Sequence, residues 1–495
     1  MPARAPLVTA RAVLALGLLA AGLAVALLLA GGLVAAAVLA VPSGHWALGA
    51  LSAAAAALVV RWLLLLRVPP VRLTGIDVRA PEQPALNALA KRVADRVGAP
   101  APRRVCLVAG VEVVAIEEGG VLGLGAHPVL GIGLGLIALL GVSELEAALA
   151  HELGHRRAGG RAGGLLHRAR AVLARAAAPG RGGATGAPFR RLCAAYLRAT
   201  LHLARAQELQ ADRAAIQVAG AAAHLAALER AARGAVLFTA FLADEVEPLV
   251  AEGHQPENLY DGFRAYEAEL TEQGRSGALD RELARAPAEP EGLHPPLAAR
   301  LAFARAFPDA GRPGDARPAR SLLLNAERLE RELTARVAAE RAGERPLAVV
   351  PWAEVGARVY GPRVERAGRA YAARVAAEFG APATGQGALA ALLPTLERRH
   401  DEAAALVLDP SLASVPVDDR TRQVERIVSH ALGALVGLSL VERGGAWRSE
   451  IGRPVEVALG RAVVAPLHVA EEALADRSRL AEVVRRAVET PQDST

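Results

Sequence analysis

Cysteine is almost absent from this 495-residue chain, and lysine more so: Cys106, Cys193 and Lys91 are the only residues of their types. Cys106 stands in an apolar, strand-like run and Cys193 on a helix face shared with Phe189, Leu192 and Tyr196, so both read as buried thiols. A disulfide framework and a cysteine metal site are thereby excluded. The glycines at 131, 133 and 135 resemble a phosphate loop only superficially, because no P-loop lysine follows them. Charge is missing altogether from residues 12 to 41, and a second apolar run from Trp46 to Leu66 is broken only by Arg61. Each run is long enough to cross a hydrocarbon core of about 30 Å.

The tight connection Pro42-Ser43-Gly44-His45 makes the two runs a helical hairpin. Arg4 and Arg11 precede it, Arg67 and Arg72 follow it, and the connection is uncharged, so the positive-inside rule places both flanks in the cytoplasm. A cleaved signal peptide is the competing reading, with a basic start, an apolar stretch and small residues near Ala40. The apolar run far exceeds an h-region of roughly 7–15 residues, however, and a second apolar segment follows at once. At 495 residues, 53% of them hydrophobic, the chain has material for two or three domains. The net charge of +6 is carried almost wholly by arginine and reads as spread over the chain, which implies attraction to anionic lipid. No RNA- or DNA-binding signature accompanies it, so no nucleic-acid partner is expected, and the arginine bias fits a GC-rich bacterial genome.

His151-Glu152-Leu153-Gly154-His155 sets two imidazoles one helical turn apart with a carboxylate beside them, an arrangement suited to one zinc ion and one water. The bland alternative is a surface helix with two solvated histidines. The preceding residues predict the opening of an amphipathic helix, with Ser143 as N-cap and Glu146 closing a capping box. The apolar stretch Val129 to Val142 is too short to span a bilayer and is expected to pack behind that helix. Hydrolytic zinc usually takes three protein ligands. A glycine and a third histidine three and six residues after His155 would supply one solution, but Ala158 and Arg161 stand there. The remaining solution is a glutamate on a second helix. The segment from Ala204 to Ala215 offers Glu208, with Asp212 at i,i+4 on the same face to brace a ligand from outside.

Three ordered motifs now make the chain resemble the membrane-bound zinc metallopeptidases of the HtpX and CAAX prenyl protease type. The first is Glu144-Leu145-Glu146-Ala147-Ala148-Leu149-Ala150 ahead of the HExxH. The second is Ala204, Arg205, Glu208, Ala211 and Asp212, and the third is His294-Pro295-Pro296-Leu297 with Arg300-Leu301. The resemblance spans residues 144 to 301 and suits the apolar N-terminus, while the last hundred or so residues match nothing. It implies one Zn²⁺ per chain on His151, His155 and Glu208, with Glu152 as general base and with Arg205 and Asp212 as supports. His294 has two readings. Following the resemblance, it is a loop histidine near the metal that bonds the oxyanion or closes the fourth zinc position; otherwise its His-Pro-Pro turn merely separates two helices. Two departures stand out. Many such proteins carry two more membrane helices between the second histidine and the glutamate, whereas here Arg156, Arg157, Arg161, Arg168, Arg170 and the loop at 179–183 fill the interval. Val113-Val114-Ala115 also replaces the family's Asn-Ala pair.

The expected fold is mainly α with a small β-sheet, an α+β gluzincin-type metalloprotease preceded by a transmembrane hairpin. The expected division is an anchor over 1–72, a metallopeptidase over 73–342 and an α-rich accessory region over 343–495. A helix over 84–97 and strands over 103–108, 111–116 and 121–124 are predicted, with 121–125 or 129–133 as the edge that binds substrate backbone by β-augmentation. One helix from 188 to about 219 carries Glu208, helices continue to 272, and a Pro-, Arg- and Gly-rich passage over 281–320 holds His294. Beyond it, helices are predicted over 325–342, to 379, over 397–405 and over 421–438, with strands over 454–459 and 461–465. His400, Asp401, Glu402 and His430 read as an exposed helix face, not a second metal site. Zinc would bring the pKa of its water down toward about 7, and Glu152 would take the proton and pass it to the leaving amine. Substrates would be proteins or peptides at a bacterial inner membrane. A membrane-anchored scaffold with a structural or latent zinc site is the alternative, opposed by Glu152, which a structural zinc does not need.

Overall fold

Alanine and leucine, both strong helix formers, dominate the charge-free N-terminus. In the computed structural model of the chain it forms α1 (Ala5–Ala40), a helix of 36 residues, followed after a short turn by α2 (Trp46–Leu64). The structure describes residues 5–66, 73–118, 127–156, 160–178, 180, 183–285, 295–308, 314–343, 345–398 and 417–489. Both helices are long and apolar enough to cross a membrane, and their apolar side chains are turned outward: only 11% and 22% of their most apolar windows are buried. A third helix passes the same length and composition criteria at Val424–Glu442, but there 61% of the window is buried, so its apolarity serves packing.

Next come β1 (Ile76–Val78), α3 (Pro84–Val97), β2 (Arg104–Val108), β3 (Val113–Glu118) and β4 (His127–Gly133). α3 has Pro84 in its first turn and ends on Gly98 at a φ of 72°, a left-handed C-cap. The sheet order is β1-β2-β4-β3, with β2 and β4 parallel and the other pairs antiparallel. β4 is thus interior, and the expectation that 129–133 forms a substrate-binding edge is corrected: β1 and β3 are the edges among the described residues. The other expected edge, 121–125, lies outside them. The glycines that mimic a phosphate loop have a packing reason, since a Cβ at Gly133 would lie 2.1 Å from the Gly110 carbonyl oxygen and one at Gly131 2.8 Å from Val114 Cγ2.

The apolar stretch Val129 to Val142 comprises most of β4, the short α4 (Leu134–Leu139) and the start of α5 (Val142–Gly154). The N-terminus of α5 also corrects the capping prediction. Gly141 is the N-cap, and its N–H donates to Glu144 Oε2 at 2.8 Å. Ser143 Oγ instead accepts the Asp315 N–H at 2.6 Å, and Glu146 pairs with Arg96 at 2.9 Å. The cause is distant in sequence: the N–H groups of Val142 and Ser143 donate to the Arg317 and Asp315 carbonyls, so a remote chain segment fixes where the helix begins.

α6 (Gly160–Ala177), α7 (Ala187–Ala199), α8 (Leu201–Ala219) and α9 (Ala221–Phe241) follow. The single helix expected over 188–219 is broken at Thr200. Thr200 Oγ1 donates to the Tyr196 carbonyl at 2.8 Å, and the buried Arg170 donates to the Leu197 carbonyl at 2.9 Å, so side chains compete for the carbonyls that a continuous helix would use. On α7 Phe189 and Cys193 are buried, but Leu192, expected on their face, is 67% exposed.

Contacts divide the chain into two compact units, Met1–Thr239 with Gln273–Leu333, and Ala240–Glu272 with Thr334–Thr495. The second unit is built on helices at Leu259–Glu272, Gly361–Phe379, Gly385–Arg398, Val417–Glu442, Pro466–Ala475 and Leu480–Glu489. β5 (His254–Pro256), inside the stretch expected to be helical to 272, pairs in parallel with β6 (Ala348–Val350). β7 (Ala446–Arg448), β8 (Glu456–Leu459) and β9 (Ala462–Val464) form an antiparallel meander that includes the expected strand pair. The helix expected over 397–405 is replaced by one ending at Arg398, and 399–405, with His400, Asp401 and Glu402, lie outside the described residues. The fold is mainly α with small sheets, with N-terminal helices able to cross a membrane.

Candidate metal centre

Small residues let two helices meet. Gly154 of α5 faces Ala211 of α8 so closely that a Cβ at 154 would lie 3.2 Å from Ala211 Cα, and Ala211 and Ala215 are fully buried. The crossing brings His151 of α5 and His155, the C-cap one turn later, against Glu208 of α8, with a potential ligand atom of each within 4.8 Å of the others. Glu208 Oε2 lies 3.6 Å from His151 Nε2 and Oε1 lies 3.4 Å from His155 Nε2. His155 and Glu208 are each 4% exposed. A buried carboxylate converging with imidazole nitrogens calls for a cation, and two histidines with one glutamate are a set that hydrolytic zinc takes while keeping a position for water. This donor set fits a metal ion.

Asp212, fully buried one turn along α8, organises the layer behind. Its Oδ1 lies 2.9 Å from His151 Nδ1 and 3.1 Å from His224 Nε2 of α9. Arg300 grips the same carboxylate with two donors, Nη2 to Oδ1 at 2.6 Å and Nε to Oδ2 at 3.0 Å. With its Nδ1 proton on Asp212, His151 presents the Nε2 lone pair toward Glu208 and His155. Burial opposes ionisation of Asp212, but the bonds from His151, His224 and Arg300 outweigh it and hold the carboxyl well below its usual range. Burial likewise pushes the His224 imidazole down, with Asp212 acting against it. His155 is packed by rings: His151 meets it edge-on with centroids 4.8 Å apart, and His167 of α6 stacks on it at 4.7 Å. Glu152 turns toward the sheet, where its Oε1 accepts the Ala115 N–H of the edge strand β3 at 2.8 Å.

The structure therefore brings together His151, Glu152, His155, Glu208 and Asp212. Arg205 makes none of these bonds, and its buried Nε has no hydrogen-bond partner among the described residues. The arginine on Asp212 is Arg300, which the sequence reading met in the third motif but gave no role. His294 lies outside the described residues. His224 had no signal, being a lone histidine in an alanine-rich helix.

The α5–α8 crossing leaves no room for a branched side chain. Overpacking costs about 1–3 kcal/mol, so Gly154→Val is expected to lower both the melting temperature and the bound-metal content of the purified protein. Full metal content in that variant would show that the close approach is not what assembles the ligands.

The model of peptidase family M48 matches residues 80–307, a span that holds every residue of this cluster. No curated protein and no solved structure matches the chain.

Proposed function

With residues 80–307 placed in peptidase family M48, the family of HtpX and CAAX protease-type zinc metallopeptidases, we propose that the chain is a membrane-anchored, zinc-dependent endopeptidase. One observation carries the proposal: His151, His155 and Glu208 converge within 4.8 Å, next to a glutamate hydrogen-bonded to a strand at the sheet edge. When bound, zinc polarises the scissile carbonyl and brings a water's pKa toward about 7. Glu152 takes the proton of the attacking water and delivers it to the leaving amine. The Ala115 N–H on Oε1 orients that carboxylate, and Asp212 holds the His151 tautomer that faces the metal. The outer edge of β3, with Ala115 in it, is the proposed platform for an extended substrate backbone.

α1 and α2 are proposed to span the membrane as a hairpin. Arg4 and Arg11 before it and Arg67 and Arg72 after it support a cytoplasmic catalytic centre, in a bacterial inner membrane. Membrane proteins in quality control are the proposed substrates. The proposed functional division is an anchor over 1–72, a peptidase region over 73–342 and an accessory region over 343–495. It is a division of roles, and the contact units cut the chain differently.

The test is metal stoichiometry and casein cleavage on detergent-purified protein, before and after chelation. One zinc per chain is expected, with cleavage abolished by chelator and restored by zinc. Cleavage indifferent to chelation would overturn the proposal. Tightly held zinc in a closed four-ligand spectrum, without cleavage, would replace it with a scaffold role.

A further inference from the structure

Between Glu152 and Glu208 the chain holds eleven arginines and no aspartate or glutamate. The positive charge is thus gathered in the segment that includes α6 and α7, which hold seven of the eleven, and the rest of the chain is net acidic, contrary to the even spread expected from the totals. We propose that the α6–α7 hairpin is a binding surface for anionic phospholipid headgroups. The inference rests on the proposal that α1 and α2 span the membrane.

The hairpin is fastened to the C-terminal end of α2 and to the N-terminal half of α1. Trp62 near the C-terminus of α2 donates its indole N–H to the Thr185 carbonyl at 2.8 Å and stacks on Phe189 of α7, with ring centroids 6.1 Å apart. Tyr196 OH donates to the Ala15 carbonyl of α1 at 2.8 Å. Val172, Leu173, Phe189 and Cys193 close an apolar cluster with Leu19 and Leu23 of α1. Trp46, 67% exposed, opens α2 sixteen residues before Trp62, about 24 Å along the axis at 1.5 Å per residue. Tryptophans at that separation mark the two boundaries of a membrane-spanning segment. Trp62 therefore sets the start of α7, at Thr185 and Phe189, at the level of the headgroups.

The other face of α7 is open. Arg191, Leu192, Ala195 and Arg198 are exposed along it, Leu192 by 67%. Guanidinium groups flanking an exposed leucine suit a surface that offers phosphate at one depth and acyl chain just below. Charge complementarity and continuity with the spanning hairpin both select the bilayer that α1 and α2 enter as the occupant.

The full chain reconstituted in nanodiscs of phosphatidylcholine, without and with phosphatidylglycerol, tests this by amide hydrogen exchange over 187–199. Several-fold slower exchange is expected in the anionic discs, reversed by high salt and absent in Arg191→Gln/Arg198→Gln, with exchange in α3 unchanged throughout to report an intact fold. Equal exchange in the two discs, or a difference that survives the double substitution, would overturn the proposal. So would equal protection in neutral discs by an RNA oligonucleotide, or by raising the number of chains per disc. Exchange requires neither zinc nor cleavage, so its outcome is independent of the peptidase proposal. Alkaline extraction of α1 and α2 from the membrane would separately remove the spanning premise.

Discussion

Glu152→Gln is expected to lower kcat/KM for peptide cleavage by about 10²–10⁴, while the purified protein keeps one zinc per chain. That corresponds to about 3–5 kcal/mol of transition-state stabilisation. The substitution is nearly isosteric, and the amide oxygen can still accept the Ala115 N–H that Oε1 accepts at 2.8 Å. What it loses is the ability to take a proton. The size of the effect separates two roles for this side chain. A carboxylate that only tethered β3 would contribute one hydrogen bond, worth about 1 kcal/mol, and since the amide can still accept it, turnover would slow by less than about tenfold. A fall beyond about 100-fold with zinc retained assigns Glu152 as the base; a fall below tenfold leaves it as a strand anchor. Zinc analysis and steady-state kinetics on the same preparations decide between them.

Local signals carried the parts of this molecule that were readable from its residues. α3 is bounded by Pro84 and Gly98 as its sequence predicts, because both boundary devices lie within the helix's own neighbourhood. The ligand pattern is legible for the same reason: HExxH and the pair Glu208 and Asp212 each share a helix face at i,i+4 spacing. What escaped depends on partners remote in sequence. The start of α5 is fixed by carbonyls at Asp315 and Arg317, and the break at Thr200 by Arg170, thirty positions away. β4 reads like any apolar strand, and nothing in its residues says that it lies between β2 and β3. The helix Val417–Glu442 shows the same limit: its apolar part is long and apolar enough for a membrane span, though less hydropathic than α1, and its burial shows that it packs instead. Arg300 and His224 come to Asp212 from other helices, and no spacing rule links them to it.

Asp212→Ala is expected to have the largest effect on folding of any substitution near the metal. It strands the Arg300 guanidinium, whose side chain is 12% exposed, and leaves His224, 1% exposed, without its carboxylate. Removing one partner of a buried ion pair costs about 3–5 kcal/mol. It also frees His151 from the bond that fixes its tautomer, and losing such an outer-shell partner weakens metal affinity by about 10–100-fold. The two consequences have different causes, so a second substitution can separate them. In Asp212→Ala/Arg300→Met the stranded charge is gone, and stability measured by denaturant unfolding in excess chelator should recover much of the loss. Zinc affinity should stay weak, because His151 Nδ1 still lacks its acceptor. Chelator is needed because bound zinc itself stabilises the folded state by mass action and would fold the affinity loss into the stability reading. A double variant as unstable as the single one would mean that Asp212 does more than neutralise Arg300. A double variant with restored zinc affinity would mean that the stranded guanidinium, not the lost His151 bond, weakens the site, since Arg300 Nη2 lies 3.3 Å from both ring nitrogens of His151.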